Sequence, residues 1–541
     1  MPTPTAANIV TLLQAQAVAA PNCTALMVGV GRRRETISFA QLAQRVDRLS
    51  CGAARAGIAP GDRVLVMIPM SIDLYTVLLG LLKLGAVPVF IDPWTSTEQI
   101  AAYVALAEPR GFIGVPASHL IRLRHPALRR LPIAVTTGFH LGPLPAARSL
   151  ANLLAAPGDG AVHEVTPDMP ALITFTTGSS GTPKGANRSH GFLLAQHAAL
   201  KAHFPYLRDD VDMAQFPVFA LNNLAQGVPT VIPAIDFRHV ARLNPLTILA
   251  QMRDYQVTTC TVSPPFLDRL SNHLDLHPEQ TPHLRRILTG GAPVSDDQLD
   301  RWQAHFPDTH IHVLYGSTEA EPVAHIEARE RLRLRDRAVA TASGVCVGRP
   351  IAELQVKLVT ITRGSLDFPR AGWPELELRQ GQIGELLVAG RHVCTDYYRN
   401  PQAVAETKLR LADGTVFHRM GDTGYLDPQG LLWLVGRVHT TIRRDNQNIH
   451  PLLVEQAARA NDSRIRRVAA LAVPCAILGQ RLIVIVETDA PATVKAQVQR
   501  RLLDARLPVD DIHLTNEPLP LDPRHNAKID YAALAERLHL A

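Results

Sequence analysis

Twelve consecutive residues, Thr174-Phe175-Thr176-Thr177-Gly178-Ser179-Ser180-Gly181-Thr182-Pro183-Lys184-Gly185, limit most strongly what this chain can fold into. They follow the apolar run Ala171-Leu172-Ile173, so a strand delivers the chain into a loop of hydroxyls, three glycines and one lysine. Such a loop presents backbone N–H groups and hydroxyls to an anion, and its glycines let the main chain approach closely. Lys184 adds a point charge for phosphate oxygens. The loop is not a Walker A motif, because Gly185 rather than Ser or Thr follows the lysine and Pro183 rather than Gly precedes it. A surface turn would share some of these residues, but Pro183 and the hydroxyl density favour phosphate.

At 541 residues the chain exceeds one compact core, and a large domain with at least one smaller one is expected. Arg63 to Ile68 reads as a buried strand, Ser71 to Leu84 as the helix after it, and Val87 to Asp92 as the next strand. That spacing predicts an α/β fold of parallel-rich sheets covered by helices. From about residue 345 to 436 the pattern turns to short strands with turn signals, at Leu354 to Val359, Gly384 to Val388 and Leu431 to Val435. A boundary is placed at Gly436-Arg437. Beyond it, Pro451 to Ala460 reads as a helix and Leu482 to Glu487 as a strand, giving a small α+β domain over 437–541. The Ala/Pro/Gly-rich stretch near Leu144–Gly160 reads as a loop.

The net charge of +6 would suit an anionic partner, but the arginines (Arg122, Arg124, Arg129 and Arg130; Arg329, Arg331, Arg333 and Arg335) are scattered with little aromatic interleaving. A solvated face is the favoured reading, and nucleic acid is not expected as a partner. Six cysteines without CxxC spacing indicate neither a disulfide framework nor a zinc site. Asn8 to Leu13 begins an amphipathic helix rather than a leader, and the apolar stretch Leu74 to Ile91 is broken by Lys83 and Pro88, so no membrane span is expected. The expectation is a cytoplasmic protein.

Four further segments follow the loop: Tyr315-Gly316-Ser317-Thr318-Glu319, Arg419-Met420-Gly421-Asp422-Thr423-Gly424-Tyr425, Gly436-Arg437, and Arg524-His525-Asn526-Ala527-Lys528-Ile529. In order, and over essentially the whole chain, the five resemble the signatures of the adenylate-forming superfamily of acyl-CoA synthetases, luciferases and peptide-synthetase adenylation domains. The resemblance implies a large N-terminal domain (1–436) closed by a β-rich subdomain (about 345–436), with a small mobile domain after it. It also implies ATP and Mg²⁺ as cofactors and a small carboxylic acid as substrate. The acid would attack the α-phosphate of ATP to give an acyl adenylate and pyrophosphate. Both reactants are anionic, so such a site must supply positive charge, a metal and alignment.

Carried over residue by residue, Thr176, Ser179, Thr182 and Lys184 would cradle the outgoing phosphates. Thr318 would contact the α-phosphate, while Glu319, with Thr176, would hold Mg²⁺, a hard cation that takes oxygen ligands. Tyr315 would stack on adenine, with Gly316 and Gly291 also against the nucleotide. Asp422 would accept both ribose hydroxyls, and Arg437 would lie near ribose and phosphates. Lys528 would neutralise charge growing on the α-phosphate. Phe219, Ala220, Gly290 and Ala292 would line the acyl pocket, where small uncharged residues favour an apolar chain, although a tightly packed core strand would look similar. Alone, Glu319 reads equally well as a surface carboxylate and Asp422 as a turn residue, and a lysine placed like Lys528 is usually solvated; order and context favour the functional reading.

For the second half-reaction the chain departs from a CoA ligase. That family's hinge commonly reads Gly-Arg-x-x-Asp followed by a Gly-Gly pair that leaves room for phosphopantetheine. Here Gly436-Arg437-Val438-His439-Thr440 is followed by Asp445-Asn446. Either side chains crowd the thiol path, or this loop takes another shape. Phe216 to Leu221 and Arg524 to Ile529 look like the olefin-biosynthesis β-lactone synthetases, often called fatty acid CoA ligases. That resemblance implies a β-hydroxy fatty acid whose own hydroxyl closes on the acyl carbon and expels AMP. The alternative is a fatty acyl-CoA or acyl-AMP ligase loading CoA or a carrier-protein thiol; another class is an idle acyl-nucleotide binder. His190 and His439 are candidates for the second-step base, His190 also reading as a structural neighbour of the phosphate loop.

Overall fold

The computed structural model describes residues 8–91, 95–138, 147–158, 160–177, 183–341, 343–368, 372–460, 462–521 and 529–538. Among them a seven-stranded sheet runs, edge to edge, Arg148–Ser149, Ile133–Thr136, Gly111–Gly114, Arg63–Met67, Val87–Phe90, Pro170–Thr177 and Pro183–Ser189. All its pairings are parallel except the last, in which the strand carrying the start of the glycine-rich loop turns back on itself. Strand residues such as Val64, Leu65, Val66, Val89 and Ile173 are buried, as parallel strands covered on both faces require. The helix Phe39–Arg55 begins on a capping box in which Ser38 and Gln41 satisfy each other's backbone N–H groups. It packs Leu42, Val46 and Leu49 into the main core.

Near Leu144–Gly160 the loop expectation is corrected. Leu150–Leu154 is a short helix, capped by Ser149 accepting from the N–H of Asn152, with Leu150 and Leu153 buried in the core. Two buried leucines three residues apart on a capped turn outweigh the local Ala, Pro and Gly content.

A second, fourteen-stranded sheet has a parallel centre formed by Asp212–Ala214, Thr259–Val262, Arg286–Gly290 and His310–Ser317. From His310–Ser317 the sheet continues antiparallel through Ala320–Glu327, Val345–Pro350, Leu432–Arg437, Val416–Leu426, Gly384–Ala389 and Gln355–Val359. The two sheets are tied by a strap, residues 393–398. Val393 bridges to Ala320, Tyr397 bridges to Ala186, and the N–H of Tyr398 donates to the carbonyl of Gly185 at 2.8 Å.

After Arg437 the hairpin Ile442–Arg444/Gln447–Ile449 leads to the helix Pro451–Arg459. A three-stranded sheet (Ile465–Cys475, Gly479–Thr488 and Asp511–Thr515) and the helix Pro491–Asp504 follow, with a separate apolar cluster around Val454, Val484 and Val498. The side chain of Gln456 bonds both the N–H and the carbonyl of Gly344, at 3.0 and 2.9 Å, which docks this unit on the large sheet.

Within that unit, Glu455 accepts from the Tyr531 hydroxyl at 2.6 Å and from the N–H of Ala470 at 3.0 Å. Burial pushes its carboxyl from 4.5 up to about 7 despite both hydrogen bonds. A carboxyl with a raised folded pKa stabilises fully below about pH 4.5, and that contribution is lost as pH rises through about 7. From pH 5 to pH 8, wild type should therefore lose on the order of 1–3 kcal/mol of unfolding free energy relative to Glu455→Gln. Parallel pH profiles of the two proteins in chemical denaturation would contradict this.

Candidate functional site

Tyr315, Asp422 and Arg437, the residues expected at the nucleotide, are brought together from three strands. Tyr315 lies on His310–Ser317, Asp422 on Val416–Leu426 and Arg437 on Leu432–Arg437, with Asp422 and Arg437 directly paired in register. The Tyr315 hydroxyl donates to Asp422 Oδ2 at 2.5 Å, and Arg437 Nη1 donates to Oδ1 at 2.8 Å. Burial first, and the Asp422 charge second, push the Tyr315 phenol well above its ordinary range, so it stays a neutral donor. Next to it, a Cβ on Gly316 would stand 2.7 Å from the Ala320 carbonyl oxygen, so the return strand can approach this closely only over glycine.

Glu319 sits at the turn between His310–Ser317 and Ala320–Glu327. Its backbone N–H donates to Ser317 Oγ at 3.2 Å, and its carbonyl accepts from the N–H of Cys394 at 2.7 Å. Its carboxylate Oε1 accepts from the Tyr397 hydroxyl at 2.7 Å. Burial pushes the Glu319 carboxyl up; in the acid range where it titrates, the charges of His418 and Lys408 and the Tyr397 hydrogen bond bring it down to about 2. His418 is itself driven down to about 3, by burial and then by Lys408, so near neutral pH it is uncharged. The local charge therefore comes from Lys408, whose ammonium burial lowers only to about 8. An ionised, fixed carboxylate oxygen of this kind fits Mg²⁺, which prefers hard oxygen ligands.

Thr318 lies between these groups, its carbonyl accepting from Arg188 Nε at 3.1 Å. Thr176 lies in the strand Pro170–Thr177, paired across from Lys184, and its side chain is not among those described. The Lys184 ammonium stands 4.0 Å from Glu406. Ser179, Thr182 and Lys528 lie outside the described residues.

Of the residues read as acyl-pocket lining, Phe219 is buried with Leu200, Phe204, Leu288 and Leu314, with Phe216 and Val218 against that cluster. Gly290 ends the strand Arg286–Gly290, and Gly291 follows at φ +78° with the Phe216 ring beside it. Ala292 is half-buried just beyond. Ala220, one step around its helix from Phe219, packs instead with Ala214, Leu221 and Leu224. His190 is buried and pushed down to about 4, chiefly by burial, and its Nδ1 finds no hydrogen-bond partner among the described residues. His439, beyond Arg437, is also lowered by burial.

The hairpin Ile442–Arg444/Gln447–Ile449 closes on a two-residue loop, Asp445-Asn446, with φ +46° and +62°. Positive φ at both central positions is type I′ geometry, which Gly, Asn and Asp adopt most readily. Asp445 and Asn446 thus place two exposed side chains on a tight turn.

Sequence reasoning missed three residues here. Tyr397 and Lys408 lie behind Glu319; the only sequence cue was an aromatic pair, Tyr397-Tyr398, ahead of Asn400-Pro401. Arg419 opens one of the recognised motifs, yet it is buried and bound bidentately to Glu385 at 2.8 and 2.7 Å. It also donates to the carbonyls of Thr362, Gly364 and Glu406. It builds the strand that presents Asp422.

Residues 13–398 match the family model described as AMP-binding enzyme. The chain belongs to the AMP-binding enzyme family. Among curated relatives of this AMP-binding enzyme are two olefin beta-lactone synthetases. The one from Stenotrophomonas maltophilia is 34% identical, covering 92% of this chain and 91% of the relative; the one from Xanthomonas campestris is 32% identical, covering 92% and 90%. The crystal structure of ATP-bound MatB from Rhodopseudomonas palustris has a TM-score of 0.78 at 22% identity over 98% of both chains, so the fold is shared. The protein is an ATP-dependent adenylate-forming enzyme. Among the described residues no helix is long and apolar enough to cross a membrane.

Proposed function

We propose that this enzyme activates a β-hydroxy fatty acid as its acyl adenylate and then closes it to a β-lactone. In the first step a carboxylate oxygen attacks the α-phosphorus of ATP and the bond to pyrophosphate breaks. Lys184 and the hydroxyls of the glycine-rich loop (Thr176, Ser179, Thr182) hold the outgoing phosphates, and Thr318 contacts the α-phosphate. Asp422 takes the ribose hydroxyls, with Tyr315, Gly316 and Gly291 against the base and Arg437 near the phosphates. Mg²⁺, held by Glu319 with Thr176, supplies charge neutralisation when bound. The unit 437–541 acts as a mobile domain that brings Lys528 against the α-phosphate.

In the second step the substrate's β-hydroxyl oxygen bonds to the acyl carbon, the carbon–oxygen bond to AMP breaks, and the hydroxyl proton is lost. The products are β-lactone, AMP and a proton. An intramolecular nucleophile needs no thiol tunnel and gains the high effective concentration of a tethered group.

The observation that carries this reading is the Asp445-Asn446 turn. It sets two side chains on a tight positive-φ turn where the CoA-ligase pattern has a Gly-Gly pair, and the 34% and 32% identity to two olefin beta-lactone synthetases over 92% of the chain supports the same reading. The apolar cluster around Phe219 suits a fatty chain.

The test follows AMP and pyrophosphate release with a β-hydroxy fatty acid and its deoxy analogue, each with and without CoA. Multiple turnovers on the hydroxy acid alone, with the deoxy acid stalling at one adenylate per enzyme, are expected. Strict dependence on CoA would replace this reading with thioester formation.

A further inference from the structure

Behind Glu319 stands a set of contacts that the nucleotide and acyl residues do not explain. Tyr397 lies on the strap that joins the two sheets, and its main chain bridges to Ala186 while its hydroxyl donates to Glu319 Oε1 at 2.7 Å. One residue thus couples the return strand of the glycine-rich loop to the carboxylate at the strand turn. Lys408, 5% exposed, donates from Nζ to the Cys394 carbonyl at 2.5 Å and lies 5.0 Å from the centroid of the Tyr397 ring. Cys394 in turn donates its N–H to the Glu319 carbonyl, so the lysine braces both ends of the connection. Burying an ammonium is costly unless its surroundings stabilise the charge. Here a carbonyl, a π face and the neighbouring carboxylate do so.

We propose that Tyr397 and Lys408 are positioning residues that fix the orientation of the Glu319 carboxylate for the divalent cation of Mg·ATP. The inference rests on the proposed role of Glu319. Tyr397 sets which carboxylate oxygen is tied back and which is presented to the nucleotide. Lys408 holds the ring and the strap against which that hydroxyl is aimed. Partners that orient a metal-binding carboxylate typically change metal affinity 10- to 100-fold when removed.

The test compares wild type, Tyr397→Phe, Lys408→Met, Lys408→Arg and Glu319→Gln as full-length proteins. Measurements are the Mg²⁺ dependence of pyrophosphate release, the KM for the acid, and the thermal stabilisation given by Mg·ATP. For Tyr397→Phe the half-saturating Mg²⁺ concentration should rise about tenfold or more. The KM for the acid should not change, and the Mg·ATP thermal shift should shrink. Lys408→Met should move the same quantities, and Lys408→Arg, which keeps the charge, should recover part of the loss. A Tyr397→Phe protein with wild-type Mg²⁺ dependence and thermal shift, beside a Glu319→Gln protein that has lost both, would overturn the positioning role and leave the metal role of Glu319 standing. Wild-type Mg²⁺ dependence in Glu319→Gln would overturn the metal role and this inference with it.

Discussion

Alanine in place of Lys528 is expected to slow acyl-adenylate formation by about 10²–10³, a loss of about 3–4 kcal/mol of transition-state stabilisation. The α-phosphorus gains negative charge as the carboxylate oxygen adds, and a fixed ammonium is worth most where charge develops rather than where it already stands. The loss should therefore fall on kcat for pyrophosphate release, with the KM for ATP nearly unchanged. Under the proposed roles Lys184 does not substitute, because it sits on the strand Pro183–Ser189 beside the loop proposed to hold the outgoing phosphates. Near-normal pyrophosphate release by the variant would remove Lys528 from the account.

Arg419→Ala is expected to destabilise the protein by about 3–5 kcal/mol, the usual cost of leaving one partner of a buried ion pair unmatched. Glu385 is 1% exposed and Arg419 7% exposed, so neither can turn to water. Burial pushes the Glu385 carboxyl up even with the guanidinium against it, so removing that cation leaves an acid with no compensation. Three main-chain carbonyls, of Thr362, Gly364 and Glu406, lose their donor as well. Arg419→Lys should recover little, because one ammonium cannot reproduce a planar fork that reaches a carboxylate and three carbonyls. The measurement is the midpoint of thermal or urea unfolding. A lysine variant as stable as wild type would contradict the geometric argument.

The parts of this fold that were legible in the sequence are those written in local pattern. Arg63–Met67, Ile72–Leu84 and Val87–Phe90 follow from a buried strand, a helical run and a second buried strand, and each begins or ends within two residues of the sequence reading. Tyr315 and Asp422, proposed as nucleotide-site residues, are legible as motifs; the register that sets Asp422 opposite Arg437 and the hydroxyl bond that joins Tyr315 to Asp422 are not. The helix Leu150–Leu154 was missed because its two buried leucines sit in a stretch whose composition reads as loop. Tyr397, Lys408 and Arg419 were missed for a different reason. Their partners lie 78, 14 and 34 residues away in sequence, and nothing local marks a tyrosine whose hydroxyl will meet a particular glutamate. Asp445-Asn446 stands out in sequence as a departure, but the positive φ of both residues is a backbone property that sequence does not contain.

In the proposed reaction a carboxylate oxygen of the substrate becomes bonded to the α-phosphorus of ATP before the acyl carbon is attacked. The decisive experiment supplies a β-hydroxy fatty acid labelled with ¹⁸O in both carboxyl oxygens, with no thiol, and analyses the products by mass spectrometry. One ¹⁸O is expected in AMP, none in pyrophosphate, and one in the carbonyl of the β-lactone. Unlabelled AMP formed alongside turnover, or ¹⁸O appearing in the pyrophosphate, would contradict it.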